Sequence, residues 1–269
     1  MNNRPIIICG AGNSIPFLNS RYNSNHFSHG LEPKLEEIIK GNFSIGLNYF
    51  QKYGCETTLT SFADWQFYED NYNDLKKYPL LVGAYHAQLL KNNVCPKHDN
   101  TILLKHGGKY FGKDAWNNTF YYVQNLGTLS LNFAIALGFT EIYLLGFDHS
   151  EINGKTHFYQ GVCNLKKTTP IYVKDILKCD REHFRGVGKK PSGVYKTGTY
   201  NHPNLINKKW FRPFYDDKSV NIYNVSPDSA ITLFPKLTYE QFYSKVQNNH
   251  AFQDQARGYI RKIIGDNLK

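Results

Sequence analysis

Between Asn125 and Asp148 the chain reads NLGTLSLNFAIALGFTEIYLLGFD. Residues Thr128 to Leu137 are apolar or small on every side, as a buried helix requires, and Gly138 fits the left-handed stop after it. Glu141 to Phe147 is then an apolar strand, and it ends in Asp148. A buried helix, a glycine stop, a buried strand and an acidic residue at its carboxyl end make half of a βαβ unit. Working outward, Pro5 to Cys9 has the β-branched run of a buried strand. Phe43 to Asn48 is a second strand, preceded by a helix over Pro33 to Lys40. Thr57 to Thr60, Pro79 to Gly83, Thr101 to Leu104 and Val220 to Val225 are further short strand patterns. Strands alternating with helices predict an α/β fold: a doubly wound, mostly parallel, Rossmann-like sheet. No internal repeat divides the chain, so residues 1–269 are expected to form one domain.

Two segments stand apart. Residues 161–200 hold nine Lys or Arg against three Asp or Glu and show little periodicity. Such a stretch inside a compact domain predicts a basic, lid-like insertion. Residues 251–268 predict a C-terminal docking helix. Phe252, Ala256, Tyr259, Ile260, Ile263 and Ile264 form its apolar face, and Arg257, Arg261 and Lys262 its basic outer face.

Composition removes several classes. Lys and Arg number 32 against 22 Asp and Glu, a formal charge of +10, which favours an anionic partner without choosing it. The five cysteines are scattered and form no C-x-x-C pair, so neither a disulfide framework nor a cysteine zinc site is expected. No apolar run is long enough to span a bilayer or to serve as a secretory core. The expectation is a reduced, cytoplasmic globular protein. Its basic surface leaves open a peripheral membrane or nucleic-acid contact, and self-association also stays open.

Five places carry candidate chemistry. Gly10-Ala11-Gly12-Asn13-Ser14 follows the first strand, where glycines let the backbone approach a phosphate and free N–H groups can point at it. A plain tight turn explains the same residues, since neither a full G-x-G-x-x-G nor a P-loop is present. Asn48 ends a strand on the side where open sheets bind ligands, and its amide offers a donor and an acceptor. Asn125, Gly127 and Thr128 open the buried helix, serving an anion, a helix cap, or both. Asp148 is followed by His149-Ser150 and, past an Asn153-Gly154 turn, by Lys155 and His157, a cation and an imidazole suited to a departing phosphate. His202, in Asn201-His202-Pro203-Asn204, is either a turn residue or a general base. A metal held by His149, His157 and His202 matches no known zinc spacing. The turn at Gly12 and the helix entry at Thr128 are expected to share one crevice.

The order of these motifs resembles a known family. Gly10-x-Gly12-x-Ser14 after a strand, Asn48, Gly127-Thr128-x-Ser130, and Ala134-Ile-Ala-Leu-Gly-Phe-Thr-Glu-Ile-Tyr-Leu-Leu-Gly-Phe-Asp148 are similar to the bacterial sialyltransferases of the Campylobacter type. They are also similar to the wider MptE-like Rossmann group. Gly154-Lys155-Thr156-His157 looks like members of that wider group, and Asn224-Val225-Ser226-Pro227-Asp228-Ser229-Ala230 before Phe234-Pro235 looks like their closing element. The likeness spreads over residues 5–235 and is most specific over 127–157. It implies that Gly10, Gly12, Asn13, Ser14 and Asn48 contact a nucleotide, that Gly127 and Thr128 lie beside the donor, and that His202 is the catalytic histidine; Asn125, Asp148 and Ser226 complete the expected nucleotide-binding set. His157 stands where that family uses a tyrosine. Ala11 replaces a family Asn and Leu126 a family Ser, so a nucleotide-linked donor is implied without being fixed as CMP-sialic acid.

The reading is therefore a metal-independent, inverting glycosyltransferase with no cofactor, whose partners are a nucleotide-sugar donor and a hydroxyl acceptor. Its catalytic residues are His202, His157 and Lys155. Two rivals are kept. One is an MptE-like pyrophosphokinase using ATP and Mg²⁺ on Asp148 and Asp64. The other is a nucleic-acid-binding or nucleic-acid-modifying protein, suggested by the basic insertion with Tyr172, Phe184 and Tyr195.

Overall fold

Strand β1 (Ile6–Cys9) is buried along its whole length, with Ile6 and Ile8 in one apolar cluster and Ile7 and Cys9 in another. A strand covered on both faces can be apolar at every position, which explains the unbroken run. In the computed structural model, residues 4–12, 14–16, 22–23, 26–27, 31–63, 65–84, 97–108, 111–121, 125–149, 206–246 and 253–267 are described. Six further strands join β1: β2 (Phe43–Leu47), β3 (Leu59–Phe62), β4 (Leu81–Ala84), β5 (Thr101–Leu104), β6 (Glu141–Leu145) and β7 (Asn221–Val225). All pair in parallel, in the order β7-β6-β1-β2-β3-β4-β5. The chain winds outward from β1 to β5 and then returns to lay β6 and β7 on the other side. The sheet is doubly wound, as the sequence predicts, and its winding reverses between β1 and β6. Two short pairs lie outside it, Tyr22–Asn23 with His26–Phe27 and His106–Gly108 with Phe120–Tyr121.

The helices are α1 (Pro33–Gly41), α2 (Phe50–Tyr53), α3 (Trp65–Asp70), α4 (Tyr72–Leu75), α5 (Leu126–Ala136), α6 (Arg212–Asp216), α7 (Tyr239–Lys245) and α8 (Gln253–Asn267), with a π-helical turn at Ile206–Trp210. On one face of the sheet α5 is buried from Gly127 to Ala136, and α6 and α8 pack into the same cluster. Leu35, Ile38 and Ile39 of α1 and Phe242 of α7 cover the other face. Gly138, with φ +92°, stops α5 as expected.

Two expectations change. The strand expected over Thr57 to Thr60 lies two residues later, at Leu59–Phe62. Thr58 and Ser44 exchange backbone-to-hydroxyl bonds of 2.9 and 3.1 Å, so side chains replace the ladder at this amino end. Arg257 is not on an outer basic face but 8% exposed. Its Nε donates to the Thr58 carbonyl at 3.2 Å and its Nη2 to the Thr57 carbonyl at 3.3 Å and to Glu56. Those carbonyls precede β3 and have no ladder partner there, so α8 docks by satisfying them. Beside it, Gln253 donates to Lys40 and Asn42 carbonyls at the end of α1. The basic insertion, residues 161–200, lies outside the described residues. No helix among the described residues is long and apolar enough to cross a membrane.

Candidate functional site

Where the winding reverses, the loops after β1 and β6 lie against each other. Gly10 N–H donates to Leu145 O at 2.7 Å and Gly12 N–H to Gly146 O at 2.9 Å, which extends the β1–β6 ladder past the strand ends. A Cβ on Gly12 would lie 2.5 Å from both Asp148 Oδ2 and Gly146 O, so only glycine lets the loops come this close. A Cβ on Gly127 would lie 2.5 Å from Phe147 Cε1. The turn at Gly12 and the entry of α5 thus both rest on the segment Gly146-Phe147-Asp148.

Asp148 is the hub of this arrangement and is 1% exposed. Ser14 N–H donates to its Oδ2 at 2.8 Å, while Ser14 Oγ and Ser226 Oγ donate to its Oδ1 at 2.5 and 2.6 Å. Three predicted site residues are therefore brought together, with one another as partners. The closing element docks on the same segment: Ser229 Oγ donates to Phe147 O at 2.6 Å and Ala230 N–H to Asp148 O at 2.7 Å. Burial, reinforced by the Asp148 carboxylate, holds the Tyr239 phenol well above its ordinary pKa, so it stays protonated.

These contacts correct the physical argument made for a phosphate cradle. The N–H groups of Gly10, Gly12, Ser14 and Ile15 all donate within the protein and are not aimed at a ligand. At α5, Asn125 is the helix cap. Its Oδ1 accepts from Thr128 N–H at 3.1 Å, and Thr128 Oγ1 donates back to Asn125 O at 2.7 Å. Thr128 is fully buried, so its N–H and hydroxyl serve the cap. Asp148 likewise has both oxygens engaged, by Ser14 and Ser226. The cap at Asn125 was among the uses the sequence offered, whereas the acceptors of the Gly10, Gly12 and Ser14 N–H groups come from more than a hundred residues away.

Two polar side chains at the same end of the sheet are placed differently. Asn48 directly follows β2, one of the two neighbours of β1, and holds a left-handed backbone with φ +47°. Its Oδ1 is buried without a hydrogen-bond partner. His149 follows β6, the other neighbour of β1, and has φ +48°. Its ring meets Phe211, Trp210 and Phe147 edge-on or tilted, at centroid distances of 5.6, 6.0 and 6.4 Å. Burial among these rings lowers its pKa to about 4, so the imidazole is neutral at pH 7. The sequence placed His149 in the Asp148-His149-Ser150 stretch and in a histidine metal set, with no role of its own. The stronger signal was its place one residue past Asp148. Asn224, on β7, is fully buried with neither amide atom paired. Among the described residues no group of three His, Cys, Asp or Glu could hold a metal ion.

Asn13, Asp64, Lys155, His157 and His202 lie outside the described residues. An open pocket of about 540 Å³, lined by Lys52, Asp74, Lys77 and Tyr78 among others, includes residues leading into the amino ends of β3 and β4. Its charges are largely matched, with Asp74 3.4 Å from Lys52 and 3.8 Å from Lys77.

No family model matches the chain, and no curated protein matches it. Among solved structures it is similar to the sialyltransferase CstII from Campylobacter jejuni in complex with a substrate analogue, CMP-3FNeuAc. The identity is 14% over 91% of this chain and 87% of that one, with a TM-score of 0.43. The same enzyme with cytidine-5′-monophosphate gives 15% identity over 92% and 86%, with a TM-score of 0.43. The sialyltransferase CST-II in complex with trisaccharide acceptor and CMP gives 15% identity over 92% and 88%, with a TM-score of 0.36.

Proposed function

We propose that the chain is a nucleotide-sugar-dependent glycosyltransferase, sialyltransferase-like, inverting and metal-independent. The observation that carries this reading is Asn48: an acceptor buried without a partner, on a left-handed backbone, at the carboxyl end of a strand beside the winding reversal. A buried unpaired carbonyl costs about 1–3 kcal/mol, and such costs persist where a ligand supplies the missing partner. The exocyclic amine of a base or a ribose hydroxyl is the donor it lacks. Gly10, Gly12 and Gly127 keep backbone close-packed around this point, and Asp148 with Ser14 and Ser226 holds the three loops in register.

In the reaction, His202 takes the proton from an acceptor hydroxyl, and that oxygen attacks the anomeric carbon from the face opposite the phosphate. The bond from the anomeric carbon to the phosphate oxygen breaks, and the phosphate leaves with the electron pair. Lys155 and His157 meet the charge that builds on it. The basic segment 161–200 closes over the anionic donor.

The test is a thermal-shift screen with CMP, UMP, UDP, GDP and ATP, each with and without Mg²⁺. A nucleotide that binds the native state raises the melting temperature by mass action. Stabilisation by one of them without Mg²⁺ is expected, and no shift with any of the five overturns the reading. With an active donor, His202→Ala should lower turnover by several orders of magnitude with donor affinity nearly unchanged. Weakened donor binding with normal turnover would contradict the role of His202.

A further inference from the structure

Among the described residues, Asn48 and His149 alone adopt a positive φ without being glycine. They lie past the carboxyl ends of β2 and β6, the two strands hydrogen-bonded to β1. A left-handed backbone costs a residue with a Cβ other than Asn or Asp about 1–2 kcal/mol, a strain that His149 carries and that gathers at ligand sites. Asn48 presents an unpaired carbonyl oxygen there. No described residue hydrogen-bonds to the ring of His149, whose contacts are with Phe147, Trp210 and Phe211. His149 as a whole residue is half-buried. A π-helical turn ends at Trp210, and Tyr121 Oη pins it by donating to the Lys209 carbonyl at 3.0 Å. Insertions of this type are frequent at functional sites. The aromatic wall thus holds the imidazole plane, and no described residue takes up its nitrogens.

We propose that His149 is a specificity-determining residue of the site, using its neutral imidazole to hydrogen-bond an uncharged ligand group that carries both a donor and an acceptor. This rests on the reading of the site as a nucleotide-sugar crevice. A ring in apolar surroundings offers no net charge to a phosphate. It offers one N–H and one bare nitrogen, matched by the edge of a nucleobase or by a sugar hydroxyl. The protein's low local polarity strengthens such a bond and makes its absence costly.

Wild type, His149→Phe and His149→Asn are compared by calorimetric titration with CMP, UMP, UDP, GDP and ATP, and with CMP-N-acetylneuraminate, UDP-N-acetylglucosamine and GDP-mannose. Phenylalanine keeps the packing against Trp210 and Phe211. Asparagine tolerates the left-handed backbone and keeps a donor and an acceptor. The phenylalanine variant should bind about tenfold more weakly, and asparagine should recover to within about threefold of wild type. Loss with the free nucleotide assigns the contact to the nucleotide, whereas loss confined to the sugar conjugate assigns it to the sugar. Melting curves confirm that each variant is folded. Wild-type affinity of the phenylalanine variant for every probe that binds overturns the proposal, as does an asparagine variant as weak as phenylalanine. If no probe binds wild type, the glycosyltransferase reading fails and this inference with it. If wild type binds and only the phenylalanine comparison fails, that reading stands alone.

Discussion

Replacing Asp148 separates a scaffold from a ligand. The carboxylate accepts three hydrogen bonds at 2.8, 2.5 and 2.6 Å and is 1% exposed. Hydrogen bonds to a charged group contribute roughly 1.5–3 kcal/mol each, and such values are not additive within one network. Asp148→Ala strands the Ser14 N–H, while the two hydroxyls can turn toward other acceptors, so the net loss should be about 3–5 kcal/mol. For a chain of this size that lowers the melting temperature by roughly 6–20 °C. Asp148→Asn behaves differently. Its carbonyl can accept from Ser14 N–H while its amide donates to the two serine oxygens, both of which can accept. Only the charge is lost, and the cost should be about 1–2 kcal/mol. Urea denaturation followed by circular dichroism measures both variants on one scale. An alanine variant that loses less than about 1 kcal/mol refutes the hub, and so does an asparagine variant as unstable as alanine.

Asn48→Gly keeps the left-handed backbone and removes the unpaired oxygen, so stability should change by less than about 1 kcal/mol while the nucleotide-induced melting shift is abolished. A variant that keeps the shift removes Asn48 from the site. Arg257→Met should cost about 2–4 kcal/mol in urea denaturation, because it frees the Thr57 and Thr58 carbonyls in a buried setting. Its carboxylate partners are largely solvent-exposed and contribute little, so Arg257→Lys, which cannot fork across two carbonyls, should recover less than half. The pH dependence of stability tests the burial of His149. Its folded pKa of about 4 lies below the unfolded value near 6.5, so below 6.5 the unfolded chain binds a proton that the folded chain refuses. This contribution is complete above pH 6.5, declines as pH falls, and levels off near pH 4 at a loss of about 3 kcal/mol. Urea midpoints between pH 7 and 4.5 should fall more steeply for wild type than for His149→Phe, and equal slopes would show that the imidazole is not shielded.

The layered α/β plan was legible in the residues from Asn125 to Asp148, and in short apolar runs such as Ile6–Cys9 and Thr101–Leu104. Burial on both faces leaves an unbroken apolar signature, and a glycine stop such as Gly138 is a local backbone requirement. Boundaries shifted where side chains took over backbone pairing, as Thr58 and Ser44 do before β3. The helical period also put Arg257 on a basic outer face, because period alone cannot register carbonyls that a strand nearly two hundred residues earlier leaves unpaired. At the site, the sequence marked Gly12, Asn48, Thr128, Asp148 and Ser226 as a set but could not say which of them face a ligand. Contacts across the winding reversal give Ser14 and Ser226 a partner in Asp148, the local cap gives Thr128 one in Asn125, and the Asn48 Oδ1 is left without one. Local sequence fixes what a stretch of backbone prefers, while the partners of a buried polar atom come from wherever the chain returns in space.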